Sequence, residues 1–137
     1  MPEVRARALS IRQPWAWAVI HAGKDIENRS PAAVRTMANA VGQRVFVHAA
    51  KHFNRGEFDE CLDFLRNLKI DPPPADAFAF GGVIGSVRID AVVTSSRSRW
   101  FLGPCGFRLA EARPLPFFVV KGQLNLFYVT PPPGITP

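Results

Sequence analysis

The longest regular pattern in the sequence is an alternation over residues 82–94, GVIGSVRIDAVVT. Small or aliphatic side chains occupy every second position, namely Val83, Gly85, Val87, Ile89, Ala91 and Val93. Successive residues of a β-strand point to opposite faces, so a period of two places these side chains on one face. The pattern therefore predicts one long strand, and Gly85 inside it indicates a bulge or the close approach of another segment.

Shorter apolar or alternating segments predict the other strands. We expect strands at residues 6–11, 44–50, 107–110 and 121–129, and either a short strand or a turn at residues 25–29. Pro114 and Pro116 should break the chain between the last two of these strands, because proline has no N–H to donate to a sheet.

Two segments predict helices. Residues 14–22 begin with a proline, which suits the first helical position, and carry apolar side chains at helical spacing. Residues 54–69 begin with Asn54, and Glu57 follows three residues later as in a capping box. Residues 30–42 and 95–106 show no clear period and are expected to be loops. Together these elements predict an α+β domain with a closed or nearly closed β-barrel of about five or six strands, flanked by helices.

Length and composition limit the number of domains and the class of protein. The 137 residues fit one domain, which we place at residues 1–130, followed by a flexible tail at residues 131–137. No apolar run approaches the roughly 20 residues of a membrane span, and the N-terminus has no signal-peptide core. We therefore expect a cytoplasmic protein that contacts no membrane. The two cysteines, Cys61 and Cys105, are too few and too far apart for a disulfide framework or a metal knuckle.

The chain is basic, with 17 Lys and Arg against 11 Asp and Glu and a net charge of +6. A basic surface attracts polyanions, and arginine, which supplies 13 of the 17 cations, suits phosphate contacts and base stacking. A GC-rich genome would produce the same arginine usage, and the basic residues form no long run. The charge thus agrees with a polyanionic partner but does not identify one.

The densest group of charges lies in residues 23–30, GKDIENRS, directly after the first predicted helix. Gly23 is a natural end for that helix, which brings Lys24 to the helix terminus. A period of two would project Glu27 and Arg29 from one face of the next segment. Three charged groups can therefore converge where the helix meets the sheet. The alternative is a solvated turn in which Glu27 and Arg29 form an exposed ion pair of little energetic weight.

Five motifs follow one another along the chain: LSIRQPWA at residues 9–16, GKDIENR at 23–29, VFVHAAK at 45–51, GGVIGSVRI at 81–89 and PLPFFVVKGQLNLFYV at 114–129. This combination resembles the ASCH domains, a branch of the PUA-like superfamily, from residue 9 to about residue 129. The resemblance implies a PUA-like β-barrel flanked by helices, with a basic cleft beside the barrel. It also implies a nucleic-acid partner, because PUA-like domains generally bind RNA or modified bases.

The resemblance suggests roles for the charged residues. Lys24 and Arg29 would bind a phosphate, and Glu27 would hold these cations or accept a hydrogen bond from a base amino group. Trp15 could stack on a base, although it could equally belong to the core and leave stacking to Trp17 or Trp100. We therefore expect single-stranded RNA or a modified nucleotide to contact Arg12, Trp15, Lys24, Arg29, His48, Lys51 and Lys121.

No metal or cofactor is expected. His48 and His52 do not predict a zinc site, because their segment reads as a strand entering a loop and no third ligand is placed to complete the site.

Hydrolysis is the alternative function. Some ASCH-like proteins are amidohydrolases of acylated cytidine that use Thr, Lys and Glu, so the resemblance makes Lys24 and Glu27 catalytic candidates. The family threonine lies three residues after the lysine, where this chain has Glu27, and the hydroxyl nucleophile is therefore missing. A metal-independent ribonuclease could use Glu27 or His48 as base and Lys24 or Lys51 as the phosphate-binding cation. A third possibility is a protein-interaction module with a hydrophobic patch.

Overall fold

The computed structural model of the protein describes residues 5–137, which form one six-stranded sheet and three α-helices. The strands are β1 (Ala6–Ile11), β2 (Ile26–Arg29), β3 (Arg44–Ala49), β4 (Gly82–Val93), β5 (Cys105–Val119) and β6 (Leu126–Val129). The helices are α1 (Trp15–His21), α2 (Pro31–Met37) and α3 (Arg55–Asn67). The strand order is β2-β5-β4-β3-β1-β6, with β1 and β3 parallel and the other neighbours antiparallel. The α+β class is thereby confirmed.

β4 is the long strand that the alternating pattern predicts. A Cβ atom at Gly85 would lie 2.5 Å from the carbonyl oxygen of Arg113 and 2.6 Å from Cδ1 of Ile20. The pairing of β4 with β5 also shifts register between Val83 and Gly85. A bulge or a close approach was expected at this glycine, and the structure shows both.

The two predicted helices are present, and a third was missed. The side chain of Asn54 caps α3 by accepting a hydrogen bond from the backbone N–H of Glu57 at 3.0 Å. The prediction of a loop over residues 30–42 was wrong, because α2 and a 3-10 turn (Ala38–Ala40) fill most of it. Ser30 caps α2 by accepting from the N–H of Ala33 at 3.2 Å, and a proline occupies the first turn.

β5 runs through Pro114 and Pro116, so the predicted break at these prolines was wrong. β2 pairs with β5 only as far as Arg108, whereas Pro114 pairs with Gly85 of β4. Beyond Arg108, β5 therefore has a neighbouring strand on one side only. A proline can occupy such an edge position because its missing N–H can face the open side.

The sheet is not closed into the predicted barrel, since β2 and β6 form the two edges and do not pair within residues 5–137. β6 covers only four residues, and residues 121–125, predicted as its first half, form a loop. The side chain of Arg29 on β2 instead spans the gap between the edges. It donates to the carbonyl oxygen of Ser10 on β1 at 2.6 Å and to Oδ1 of Asn125 at 3.3 Å.

Apolar side chains form three core clusters around the sheet. One lies between α1, α2 and the sheet and includes Leu9, Val19, Val47, Val87, Ile89 and Phe107. A second joins α1 to α3 through Ala18, Ile26, Phe58, Leu62, Leu65 and Trp100. The third contains Ala8, Phe46, Val83, Phe127 and Val129, and Ile135 from the C-terminal segment packs against it. None of the helices in residues 5–137 is long and apolar enough to cross a membrane.

Candidate functional site

The C-terminal ends of β1 and β3 lie side by side, because these two strands are parallel and Ile11 pairs with Ala49. The residues that follow each strand therefore meet at one end of the strands, which is the C-terminal end of β1 and β3. α1 begins just after β1 and ends at His21. Gly23 follows two residues later with a φ of +72°, a conformation that glycine adopts easily. The chain then enters β2 through Lys24, which brings the charged residues of the segment 23–30 to the same end of the strands.

Three adjoining cavities lie at this end of the strands and form one cleft. Cavity 1 has a volume of about 190 Å³ and is lined by Trp15, Lys24, Glu27, Asn28, Phe64, Trp100 and Leu102. Cavity 2, of about 510 Å³, shares Trp15, Glu27 and Asn28 with cavity 1 and adds Arg12 and Arg29. Cavity 3, of about 600 Å³, shares Ser10, Ala50 and Gly122 with cavity 2 and adds His48, Lys51 and Lys121.

A buried group of charges, Lys24, Glu27 and Arg29, which we call the cleft cluster, lies where cavities 1 and 2 meet. Oε1 of Glu27 is 3.5 Å from Nζ of Lys24, and Oε2 of Glu27 is 3.1 Å from Nη2 of Arg29. The three side chains are only 6%, 8% and 17% exposed, in sequence order. The alternative of a solvated turn with an exposed ion pair was therefore wrong.

The cations of the cleft cluster are also bound to the backbone. Nζ of Lys24 donates to the carbonyl oxygen of Ile26 and lies 5.9 Å from the centre of the Trp15 ring. Arg29 donates to Ser10 and Asn125, as described for the gap between the sheet edges. Glu27 is thus held between two cations that are themselves fixed, so the cluster presents a rigid set of charges to the cleft.

Aromatic rings form the walls of cavity 1. The rings of Trp15 and Phe64 meet edge to face with centroids 5.6 Å apart, and Trp100 lies in the segment between β4 and β5. Asn28 fixes this segment, because its Nδ2 donates to the carbonyl of Trp100 and its Oδ1 accepts from the N–H of Leu102, both at 2.9 Å. Cavity 1 is therefore an apolar slot with the cleft cluster at one side.

Cavity 3 carries the exposed cations Lys51 and Lys121. His48 is almost fully buried, and its Nε2 lies 2.9 Å from the carbonyl oxygen of Val120 and donates to it. A Cβ atom at Gly122 would lie 2.5 Å from Cε1 of His48, so the loop at residues 120–125 rests directly on the imidazole. His48 therefore supports this loop and exposes almost no surface of its own.

The cleft is lined by all eight site residues predicted from the sequence: Arg12, Trp15, Lys24, Glu27, Arg29, His48, Lys51 and Lys121. Arg12 is exposed beside cavity 2, where its Nη1 pairs with Oε1 of Glu57 at 3.2 Å. Trp17 contacts Phe78 and His21 and lines none of the three cavities.

Sequence reasoning missed the contributions of Asn28, Phe64 and Leu102 to cavity 1. Phe64 lies on α3 beside the apolar stripe that contains Phe58, Leu62 and Leu65. An aromatic side chain outside that stripe was a usable signal in the sequence. Asn28 and Leu102 carried no such signal, because their positions depend on a contact across 74 residues of chain.

No protein-family model matches the sequence, and no curated protein is similar enough to it to be counted as a match. The ASCH assignment therefore stays a prediction that rests on the order of the five motifs.

Proposed function

We propose that the cleft binds single-stranded nucleic acid, with RNA or a modified nucleotide as the ligand, and that the chain is an ASCH domain of the PUA-like kind. The observation that supports this most is the continuity of the cleft. It runs from the aromatic walls of cavity 1, past the buried charges of the cleft cluster, to the exposed lysines of cavity 3.

Each part of the cleft suits one part of a nucleotide. Trp15, which is half-buried, offers aromatic surface to a base, and such stacking is worth roughly 1–3 kcal/mol per base. Trp100 is buried and contributes to the wall of cavity 1. Arg12 and Arg29 line cavity 2, where a guanidinium can bind a phosphate oxygen. Glu27 lines both cavities and can accept a hydrogen bond from an exocyclic amino group.

Hydrolysis is the second candidate, favoured by the distance of 3.5 Å between Nζ of Lys24 and Oε1 of Glu27 beside cavity 1. Glu27 would act as the base and Lys24 as the cation that stabilises developing negative charge. No Ser, Thr or Cys side chain is among the described residues that line cavity 1, so a hydroxyl or thiol nucleophile has no support there. Amide hydrolysis through a side-chain nucleophile is therefore disfavoured, and cleavage of RNA by attack of its own 2′-hydroxyl group is the form of hydrolysis to test against binding alone.

The proposal is tested by titrating labelled single-stranded RNA at low and at physiological ionic strength. Binding through phosphates releases counterions, so the logarithm of the association constant should fall with that of salt, with a slope of about −0.7 per phosphate contact. Arg12→Gln should weaken binding and reduce the slope, since Arg12 is exposed and its pair with Glu57 matters little for folding.

Arg35→Gln is the matched control, because Arg35 is an exposed arginine of α2 that lines none of the three cavities. Absence of RNA binding at low salt, or equal losses in the two variants, would refute the proposal. Incubation of the same RNA with wild type and Glu27→Gln decides the second candidate. Cleavage by wild type that Glu27→Gln abolishes, with binding retained, would establish hydrolysis.

A further inference from the structure

The positive charge of the cleft is distributed unevenly between its two ends. At cavity 1, Lys24 is buried and already bound to Glu27 and to a backbone carbonyl. At cavity 3, Lys51 and Lys121 are exposed and form no hydrogen bond or ion pair with any residue in the range 5–137. Apart from the exposed Arg12 of cavity 2, the charge that a new ligand could neutralise therefore lies at cavity 3, the end of the cleft away from the aromatic rings.

The available space is distributed in the same way. Cavity 1, at about 190 Å³, is much smaller than cavities 2 and 3, at about 510 and 600 Å³. A ligand that occupied cavity 1 alone would leave the larger part of the cleft empty. The volume thus favours a ligand that continues beyond a single base.

The wall of cavity 3 that carries Lys121 is held in place before any ligand arrives. His48 donates from Nε2 to Val120 at one end of the loop, and the N–H of Ser10 donates to the carbonyl of Asn125 at the other end, at 3.1 Å. Arg29 of the cleft cluster binds the Asn125 side chain as well. Because the loop is anchored at both ends, Lys121 loses little conformational freedom of its backbone on binding a ligand.

We propose that cavity 3 binds a backbone phosphate of the same strand whose base lies in cavity 1, with cavity 2 between them, so that the ligand is an oligonucleotide and not a free nucleoside. This inference rests on the proposed function and specifies the class of ligand. Lys51 follows β3, Lys121 lies on the anchored loop, and both line cavity 3. A phosphodiester carries one negative charge and can accept charge-assisted hydrogen bonds from these ammonium groups, whereas a nucleoside has no phosphate to offer them.

The inference is tested by calorimetric titration with cytidine, a dinucleotide and a trinucleotide of single-stranded RNA at one low ionic strength. In the wild-type protein the affinity should rise by at least roughly tenfold from the nucleoside to the trinucleotide, because charge-assisted hydrogen bonds are added. Lys51→Gln with Lys121→Gln should remove most of that gain and leave the affinity for cytidine unchanged. It should also reduce the salt slope for the trinucleotide by about 0.7 per lost contact.

Lys69→Gln is the matched control, since Lys69 is an exposed lysine at the end of α3 and lines none of the three cavities. Equal affinity for cytidine and the trinucleotide, or equal effects of the double variant and the control, would overturn the inference and leave the proposed function standing. Failure of every ligand to bind would overturn both.

Discussion

Two clusters of charged residues lie on the same sheet and use the same kinds of ion pair, but they differ in burial. The cleft cluster places its side chains at no more than 17% exposure. The second cluster lies on β3, β4 and β5, consists of Arg44, Arg88, Asp90, Arg108 and Glu111, and is called the sheet cluster here. Its Arg108 and Glu111 are more than half exposed. The comparison shows that ion pairs in this chain occur in both buried and exposed surroundings.

Two of the four ion pairs of the sheet cluster are shorter than either pair of the cleft cluster. Nη1 of Arg88 lies 2.7 Å from Oε2 of Glu111, and Nε of Arg108 lies 2.8 Å from Oδ2 of Asp90. Water screens such exposed pairs, so they contribute little to the free energy of unfolding. Short distances at a surface therefore carry less energetic weight than the longer contacts in the cleft.

Arg44 is the exception within the sheet cluster, because it is mostly buried. Burial lowers the pKa of its guanidinium, and the nearby charge of Arg113 lowers it further. Its Nη2 donates to Ser86 and to the carbonyl of Glu111, while Nε and Nη1 find no hydrogen-bond partner within residues 5–137. A partly satisfied buried cation is a cost to folding, whereas Arg29 in the cleft is well satisfied.

The largest expected difference between the clusters is the effect of removing a carboxylate. Glu27→Ala leaves Lys24 and Arg29 buried without their shared partner, which should lower the free energy of unfolding by about 3–5 kcal/mol. Glu111→Ala removes an exposed partner and should cost only about 0–1 kcal/mol. Urea unfolding followed by circular dichroism measures both. Similar losses for the two variants would show that burial does not separate the clusters.

A smaller difference is expected when a buried arginine is replaced by methionine. Arg44→Met removes a poorly satisfied cation, so the free energy of unfolding should change by no more than about 1 kcal/mol and could increase. Arg29→Met should be clearly more destabilising, because it breaks the contacts to Glu27, Ser10 and Asn125. Urea unfolding measures both variants. A greater loss of unfolding free energy for Arg44→Met than for Arg29→Met would contradict the prediction.

The smallest expected effect is a dependence on pH within the sheet cluster. Hydrogen bonds from Arg108, and secondarily Arg88, hold the pKa of Asp90 below its ordinary value. A carboxyl group with a lowered pKa stabilises the folded state above its unfolded pKa, and this stabilisation is lost as pH falls through the folded pKa. Thermal unfolding of Asp90→Asn should therefore depend less on acid pH than that of wild type. Parallel curves for the two proteins below pH 5 would contradict the assignment.

Much of the fold could be predicted from local patterns. β1, β3, β4, α1 and α3 follow the periods of their apolar residues, and the Asn54 cap was visible in the sequence. α2 was missed because its cap, Ser30 with Pro31, outweighs a weak period. The length of β5 could not be foreseen, since two prolines are acceptable only where the sheet has an open edge.

The site could be predicted in part for a similar reason. Residues that follow β1, α1 and β3 meet in the cleft, and sequence motifs identified them without the geometry. The hydrogen bonds that hold the cleft walls together join residues distant in sequence, such as Arg29 with Asn125 across 96 positions and Asn28 with Trp100 across 72. Such pairs depend on the completed sheet and leave no mark in the local sequence.

The three tryptophans provide the most direct test of the account, because each gives one indole N–H signal in a nitrogen-15 spectrum. Trp15 and Trp100 line cavity 1, whereas Trp17 packs against Phe78 outside the cleft. Titration with single-stranded RNA at low salt should shift the signals of Trp15 and Trp100 and leave that of Trp17 in place. A shift confined to Trp17, or bound RNA with all three signals unchanged, would contradict the claim that the cleft holds the nucleic acid.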